Sequence, residues 1–188
     1  MHFFWTDTQA LLSKLRSERV ERDTPNISDA TGEYLYTFIR QQGAYHLLEL
    51  GTANGYSSIY LLEAIRGVNT AHLLTIEKSR ADYERARTNL ISYTDQVTLV
   101  CADASEFLQS VGDMRFDFIF IDALKSATLE HFHLCRSLLI PSGTIVVDDV
   151  VKWRSKMEDF YAYLQSENIA YEIVMTDPDD GIMIIREF

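Results

Sequence analysis

Seven short apolar runs alternate with longer segments of helical period, and that alternation constrains the fold more than any other feature of this sequence. The runs are His46–Leu50 (HLLEL), Ala71–Ile76, Gln96–Val100, Phe116–Ile121 (FDFIFI), Thr144–Val147, Ala170–Met175 and Ile182–Ile185. Several are almost continuous in Val, Ile, Leu and Phe, which is how strands covered on both faces read. Between them lie helix-like segments at Ser57–Arg66, Arg80–Ser92, Ala104–Val111, Ala127–Leu139 and Lys152–Ser166. Two more, Thr8–Glu21 and Asp29–Gln42, precede the first run. The expected fold class is α/β, a doubly wound and mostly parallel seven-stranded sheet. The last two runs are joined only by TDPDDG, Thr176–Gly181. That turn is too short for a crossover helix, so the last strand is expected to be antiparallel.

The chain of 188 residues carries no repeat, no low-complexity tract and only three prolines, so a single domain over 1–188 is expected. The helices within 1–42 are expected to form part of the cover over its site. Acidic residues outnumber basic ones, 28 to 17, for a net charge of -11. Such a surface repels phosphate backbones and argues against nucleic acid as a partner. Lys14, Arg16, Arg19 and Arg22 come closest to a basic patch, but Glu18 and Glu21 interleave with them, as on a solvated helix face. No apolar run approaches the roughly 20 residues that span a bilayer. The opening MHFFWTDTQ lacks a basic stretch and is too briefly apolar for a signal peptide. Cys101 and Cys135 form no CxxC pair. Together these features predict a cytoplasmic protein with reduced thiols and no membrane association.

The first strand runs into Glu49-Leu50-Gly51-Thr52-Ala53-Asn54-Gly55-Tyr56-Ser57. Gly51 and Gly55 bracket a strand-to-helix turn at the carboxyl edge of the sheet, where open α/β folds bind ligands. The spacing is neither the dinucleotide GxGxxG nor a P-loop. Glu77 follows Gly55 by 22 residues at the end of the second strand, placed to accept hydrogen bonds from two ribose hydroxyls. Asp103, after the third strand, is placed to read an adenine amino group, or equally to cap the helix behind it.

Two further strands end in acids. Phe116–Ile121 leads to Asp122, and Thr144–Val147 leads to Asp148 and Asp149. As neighbours about 4.8 Å apart, these strands would bring three carboxylates together at the ligand edge. Such a group either binds a cation or keeps a proton, and hard oxygen donors suit Mg²⁺. Asp148 or Asp149 pointing to solvent at a turn is the plainer alternative. Lys125 lies three residues after Asp122. Beside a bound cation and away from water its pKa would fall from about 10.4, which would suit it to act as a general base.

The segments LLELGTANGYSS, TIEKS, CADASEFL, FDFIFIDALK and GTIVVDDV resemble the successive motifs of class I S-adenosylmethionine-dependent methyltransferases. More narrowly they resemble the catechol and caffeoyl-CoA O-methyltransferase group, over roughly residues 25–188. The resemblance implies a seven-stranded sheet with an antiparallel last strand, and a homodimer. It implies that Glu49, Gly51, Thr52, Gly55, Tyr56 and Ser57 surround the methionine part of S-adenosylmethionine. Glu77 would then hold the ribose, Asp103 and Ala104 would flank the adenine, and Asp122 would close the cofactor site. It also implies Mg²⁺ on Asp122, Asp148 and Asp149, with Lys125 deprotonating a hydroxyl of a small catechol-like acceptor. Three departures stand out. The third ligand is Asp149 where the family usually has Asn. The run Asp122-Ala123-Leu124-Lys125-Ser126-Ala127-Thr128 replaces the family's DADK and following aromatic. The segment after Asp149 is short and leaves Trp153 as its nearby aromatic. An RNA or nitrogen acceptor, and a non-catalytic cofactor-binding protein on the same scaffold, are the alternatives.

His131 and His133 are two apart, so on a helix they point about 200° apart and cannot share an ion. Asp177, Asp179 and Asp180 do not extend into a calcium loop and read as a polar hairpin turn. Cys101 reads as a buried strand residue and Cys135 as a helix-face residue.

Overall fold

A computed structural model describes residues 6–22 and 26–186, with the side chains of residues 6 and 19–22 left out. The Arg19, Glu21 and Arg22 part of the predicted solvated face therefore lies outside the described residues. Helices α1 (Thr6–Arg22) and α2 (Asp29–Gln42) precede strand β1 (His46–Leu50) and helix α3 (Tyr56–Ile65). Strand β2 (His72–Glu77), helix α4 (Arg80–Asn89), strand β3 (Val97–Cys101) and helix α5 (Ala104–Leu108) follow. The chain closes with β4 (Phe116–Ile121), α6 (Thr128–Leu138), β5 (Leu139–Val147), α7 (Glu158–Ser166), β6 (Glu172–Met175) and β7 (Gly181–Arg186). One sheet contains all seven strands in the order β3-β2-β1-β4-β5-β7-β6. The first five pair in parallel, and β7 is antiparallel to both β5 and β6, as the short hairpin requires.

The continuous apolar strands are covered on both faces. Along β1 and β4, Leu47, Phe118 and Phe120 join the core under α1, α2 and α3. Their alternating neighbours Leu48, Leu50, Ile119 and Ile121 join the core under α6 and α7. This is the two-residue period of a strand dividing one apolar run between two cores. Helix α3 is buried along its whole length, because α1 and α2 pack over it on the side away from the sheet.

Local chemistry sets the helix ends. The Ser28 hydroxyl accepts from the Thr31 N–H at 3.0 Å to start α2, and Gly43 ends it at φ 66°. Asp103 starts α5 by accepting from the Ser105 and Glu106 N–H groups. Several elements depart from expectation: β5 begins at Leu139, five residues before Thr144, and α4 ends at Asn89, short of Ser92. Helix α5 stops at Leu108, short of the predicted Val111, and the chain turns through Gly112 at φ 61°. Helix α7 begins at Glu158 and not at Lys152: the chain first makes a 3-10 turn at Arg154–Lys156, and Met157 at φ -126° lies outside helical geometry. Cys101 is only half-buried, contrary to expectation, since β3 is an edge strand; Cys135 is buried on α6, and both thiols are free. Among the described residues no helix is long and apolar enough to cross a membrane.

Candidate active site

Strand order reverses between β1 and β4, and a cavity of about 720 Å³ opens at the carboxyl ends of these strands. That volume falls within the roughly 300–1,000 Å³ of small-molecule and cofactor sites. Gly51, Thr52, Ala53, Ser57, Glu77, Asp103, Ala104, Asp122, Lys125 and Asp149 all line it. Glu49, Gly55, Tyr56 and Asp148, also predicted for the site, do not.

Gly51 sits at φ 92°, and a Cβ there would lie 2.1 Å from the Asp122 carbonyl oxygen. The close approach of β1 and β4 at their ends thus admits only glycine. Glu77 fixes the loop from the next strand. One of its oxygens accepts from the Ala53 N–H at 2.8 Å and the other from the Ser79 N–H at 2.7 Å. Each carboxylate oxygen has a further lone pair for a ligand.

Glu49 is fully buried. It accepts from the hydroxyls of Ser57 and Thr75, each at 2.6 Å, and from that of Ser58. Thr75 gives its proton to Glu49, so its contact with Thr52 Oγ1 at 2.6 Å has Thr52 as the donor. Burial pushes the Glu49 carboxyl up to about 7, against the opposing pull of the three hydroxyls. Glu49 therefore supports the cavity through Ser57 and does not line it. Tyr56 is likewise withdrawn, donating its hydroxyl proton to Asp29, which also pairs with Arg16 at 2.5 Å.

At the other end of the cavity Asp103 both caps α5 and pairs with Lys78 at 2.8 Å. The Lys78 hydrogen bond holds its carboxyl below the usual range. His131 is buried on the cavity wall with no partner for Nδ1. Burial lowers its pKa. His133 points away and packs on the Tyr163 ring at 4.4 Å between centroids. Asn26 and Ile27, just before α2, also line the cavity. Nothing in their sequence context marked them beyond their place in the N-terminal cover.

Asp122, Asp148 and Asp149 converge as expected, with one oxygen from each within 4.8 Å of the others. The register Ile121↔Val147 sets the two strand ends side by side, and Asp149 turns back at φ 61°. Burial drives the Asp122 and Asp148 carboxyls above the ordinary range, and the Asp122 charge adds to the rise at Asp148. Lys125 Nζ lies 2.7 Å from Asp122 Oδ1 and 2.9 Å from Asp149 Oδ2. Burial lowers the Lys125 pKa, but attraction to Asp122, Asp149 and Asp148 outweighs it and holds the ammonium above its ordinary value. The donor set of three hard carboxylates fits a divalent ion such as Mg²⁺. The Lys125 ammonium occupies the position of charge balance in this structure.

Residues 48–150 match the family described as a methyltransferase domain. A catechol O-methyltransferase of Niastella koreensis is 31% identical over 132 residues, covering 68% of this chain and 59% of that protein. A catechol O-methyltransferase of Mycobacterium tuberculosis is 30% identical over 150 residues, covering 78% and 67%. The chain thus spans less than two thirds of the Niastella relative's length. Among solved structures, the O-methyltransferase from Bacillus cereus in complex with SAH superposes with a TM-score of 0.84 at 25% identity, covering 95% of this chain and 91% of that one. The O-methyltransferase TomG from Streptomyces achromogenes, in complex with SAM, gives 0.80 at 26% identity over 95% and 90%.

Proposed function

The chain belongs to the methyltransferase domain family, and from that premise we propose that it is an S-adenosylmethionine-dependent O-methyltransferase acting on a hydroxyl of a small, catechol-like acceptor. The observation that carries this reading is the continuity of one cavity. It runs from the loop at Gly51 and the carboxylates of Glu77 and Asp103 to Asp122, Lys125 and Asp149. The cofactor-bound neighbours support the donor, and the relatives named for catechol support the acceptor.

The cofactor supplies a methyl group on a sulfonium centre. Glu77, already anchored to two loop N–H groups, keeps lone pairs for the ribose hydroxyls. Asp103, Ala104 and His131 form the wall for the base, and Ser57 faces the amino-acid end. Asp122, Asp148 and Asp149 would hold Mg²⁺, whose chemistry there is to lower the pKa of an acceptor hydroxyl. Lys125 is the candidate base. Its carboxylate neighbours favour the protonated form, so the role requires their charge to be offset. Holding nucleophile and methyl together accounts for much of the rate in reactions of this kind. A homodimer in the cytoplasm completes the reading, drawn from the resemblance and from the free thiols.

The test is transfer of radiolabelled methyl from S-adenosylmethionine to small catechols, with total tRNA as the competing acceptor. Label in catechol, reduced at least 100-fold in Lys125→Ala with unchanged affinity for S-adenosylhomocysteine, is the expected result. Label in tRNA alone overturns the acceptor class. Calorimetric titration of Mg²⁺ into the protein saturated with S-adenosylhomocysteine tests the metal, with specific binding expected to vanish in Asp148→Ala.

A further inference from the structure

At the amino ends of the strands, the opposite end of the sheet from the cavity, three polar side chains stand in a row on three adjacent strands. His46 and His72 are the first residues of β1 and β2, and the register pairs them directly. On the other side of β1, the pairing Leu47↔Phe118 sets Asp117 of β4 beside His46. By the two-residue period of a strand, all three leave the face of the sheet that carries Leu48, Leu74 and Ile119. Neighbouring strands lie about 4.8 Å apart. Two imidazoles on paired positions of one face are therefore close enough to share an ion.

Each ring has one nitrogen engaged and one to spare. His72 Nε2 lies 2.8 Å from Thr98 Oγ1 on β3, so with the proton on Nε2 the lone pair is on Nδ1. His46 Nδ1 lies 3.7 Å from Asp117 Oδ2, which leaves Nε2 for a ligand. Asp117 is itself fixed, since its two oxygens accept from the Tyr45 and His46 N–H groups at 2.9 Å each. A carboxylate behind the second ring nitrogen is the usual support of a metal-ligating histidine, because it sets the tautomer and the ring's orientation. Burial, and then the neighbouring His46, lower the His72 pKa and favour the neutral ring, the form that ligates. The His46 side chain is 58% exposed, so an ion reaches the pair from solvent and keeps water on its open positions.

We propose that His46 and His72 form a site for a late first-row divalent ion such as Zn²⁺, with His46 Nε2 and His72 Nδ1 as ligands and Asp117 as a positioning residue. Imidazole donors suit such ions, whereas Mg²⁺ prefers oxygen donors like the three carboxylates at the other end of the sheet. The bound ion ties the amino ends of β1 and β2 together, and Asp117 extends the link to β4. The site shares no residue with the cavity, so the inference stands apart from the O-methyltransferase reading.

The test is calorimetric titration of Zn²⁺ into the full chain, free of any histidine tag and held in saturating Mg²⁺ to occupy oxygen-donor sites. Zn²⁺ affinity is expected to fall at least tenfold in His46→Gln and in His72→Gln. In Asp117→Asn, whose amide oxygen still accepts an N–H, it is expected to fall about tenfold. Long-range ¹H–¹⁵N spectra of the unsubstituted chain read which ring nitrogen takes the ion. Zn²⁺ is expected to shift His46 Nε2 and His72 Nδ1 and to leave His131 and His133 in place. Should a glutamine variant misfold, those spectra decide the matter alone. A loss of affinity below threefold in either glutamine variant overturns the proposal, as does a shift confined to one of the two rings. Zn²⁺ that moves His131 or His133 in place of the pair, or that does not bind, overturns it as well.

Discussion

Lys125 shows how one residue's role depends on the charge around it. Its ammonium bridges Asp122 and Asp149 and is in effect a cation competing for the carboxylates that fit a divalent ion. Removing it should therefore strengthen metal binding while abolishing chemistry. Lys125→Met is expected to bind Mg²⁺ about tenfold more tightly than the wild type by calorimetry, with turnover reduced at least 100-fold. Weaker Mg²⁺ binding in the variant would mean that the lysine supports the site. Glu49 gives a second prediction. Its carboxyl moves from an ordinary 4.5 to about 7 on folding. Since the folded value is the higher, the protonated group's contribution is fully present below pH 4.5 and is lost as pH rises through 7. At 1.36 kcal/mol per pH unit this amounts to about 3 kcal/mol. Glu49→Gln should flatten the fall in stability between pH 4.5 and 7.5 by about that amount, read from denaturation curves across pH. Sequence and resemblance pointed to Glu49 as a cofactor contact. They did not reveal that Ser57, Ser58 and Thr75 donate to it, because those partners arrive from a helix and a second strand. His131 and Asn26 were illegible for the same reason: a lone polar residue acquires meaning only from what the fold leaves unpaired around it.

At the scale of elements, the strands were legible because continuous apolar runs have few other uses. Strands β1 and β4 carry the predicted bounds, and only the ends of the others shift. Helix boundaries were legible where a capping residue sits in the chain, as at Ser28. They failed at α7, where no capping residue marks the start and a 3-10 turn at Arg154–Lys156 comes before the helix. The loop after β1 couples both kinds of information. Its glycines were visible in sequence, but the reason for Gly51 is the Asp122 carbonyl, 71 residues away. Gly51→Ala must relieve both a positive φ and that collision. It is expected to cost about 3 kcal/mol or more in chemical denaturation and to abolish S-adenosylhomocysteine binding. Retention of both would mean that β1 and β4 separate at little cost.

For the whole molecule, the cavity lies where the two halves of the sheet diverge, so its walls draw on both. The loop at Gly51 and Ser57 leads into the helix beneath α1 and α2, while Asp122, Lys125 and His131 belong to the β4–α6 side. A ligand in this cavity binds only when both sides are folded, and its binding free energy then appears as global stability. S-adenosylhomocysteine at 100 times its dissociation constant should add about 2.7 kcal/mol. For a chain of this size that is a rise of about 5–10 °C in the thermal midpoint. The unfolding transition should stay single, since neither half retains the site alone. Mg²⁺ should add a further rise that Asp149→Ala removes, while the S-adenosylhomocysteine rise persists in that variant. Two separated transitions with S-adenosylhomocysteine bound would show that one side alone holds the ligand, and the cavity would then not be the link between the two cores.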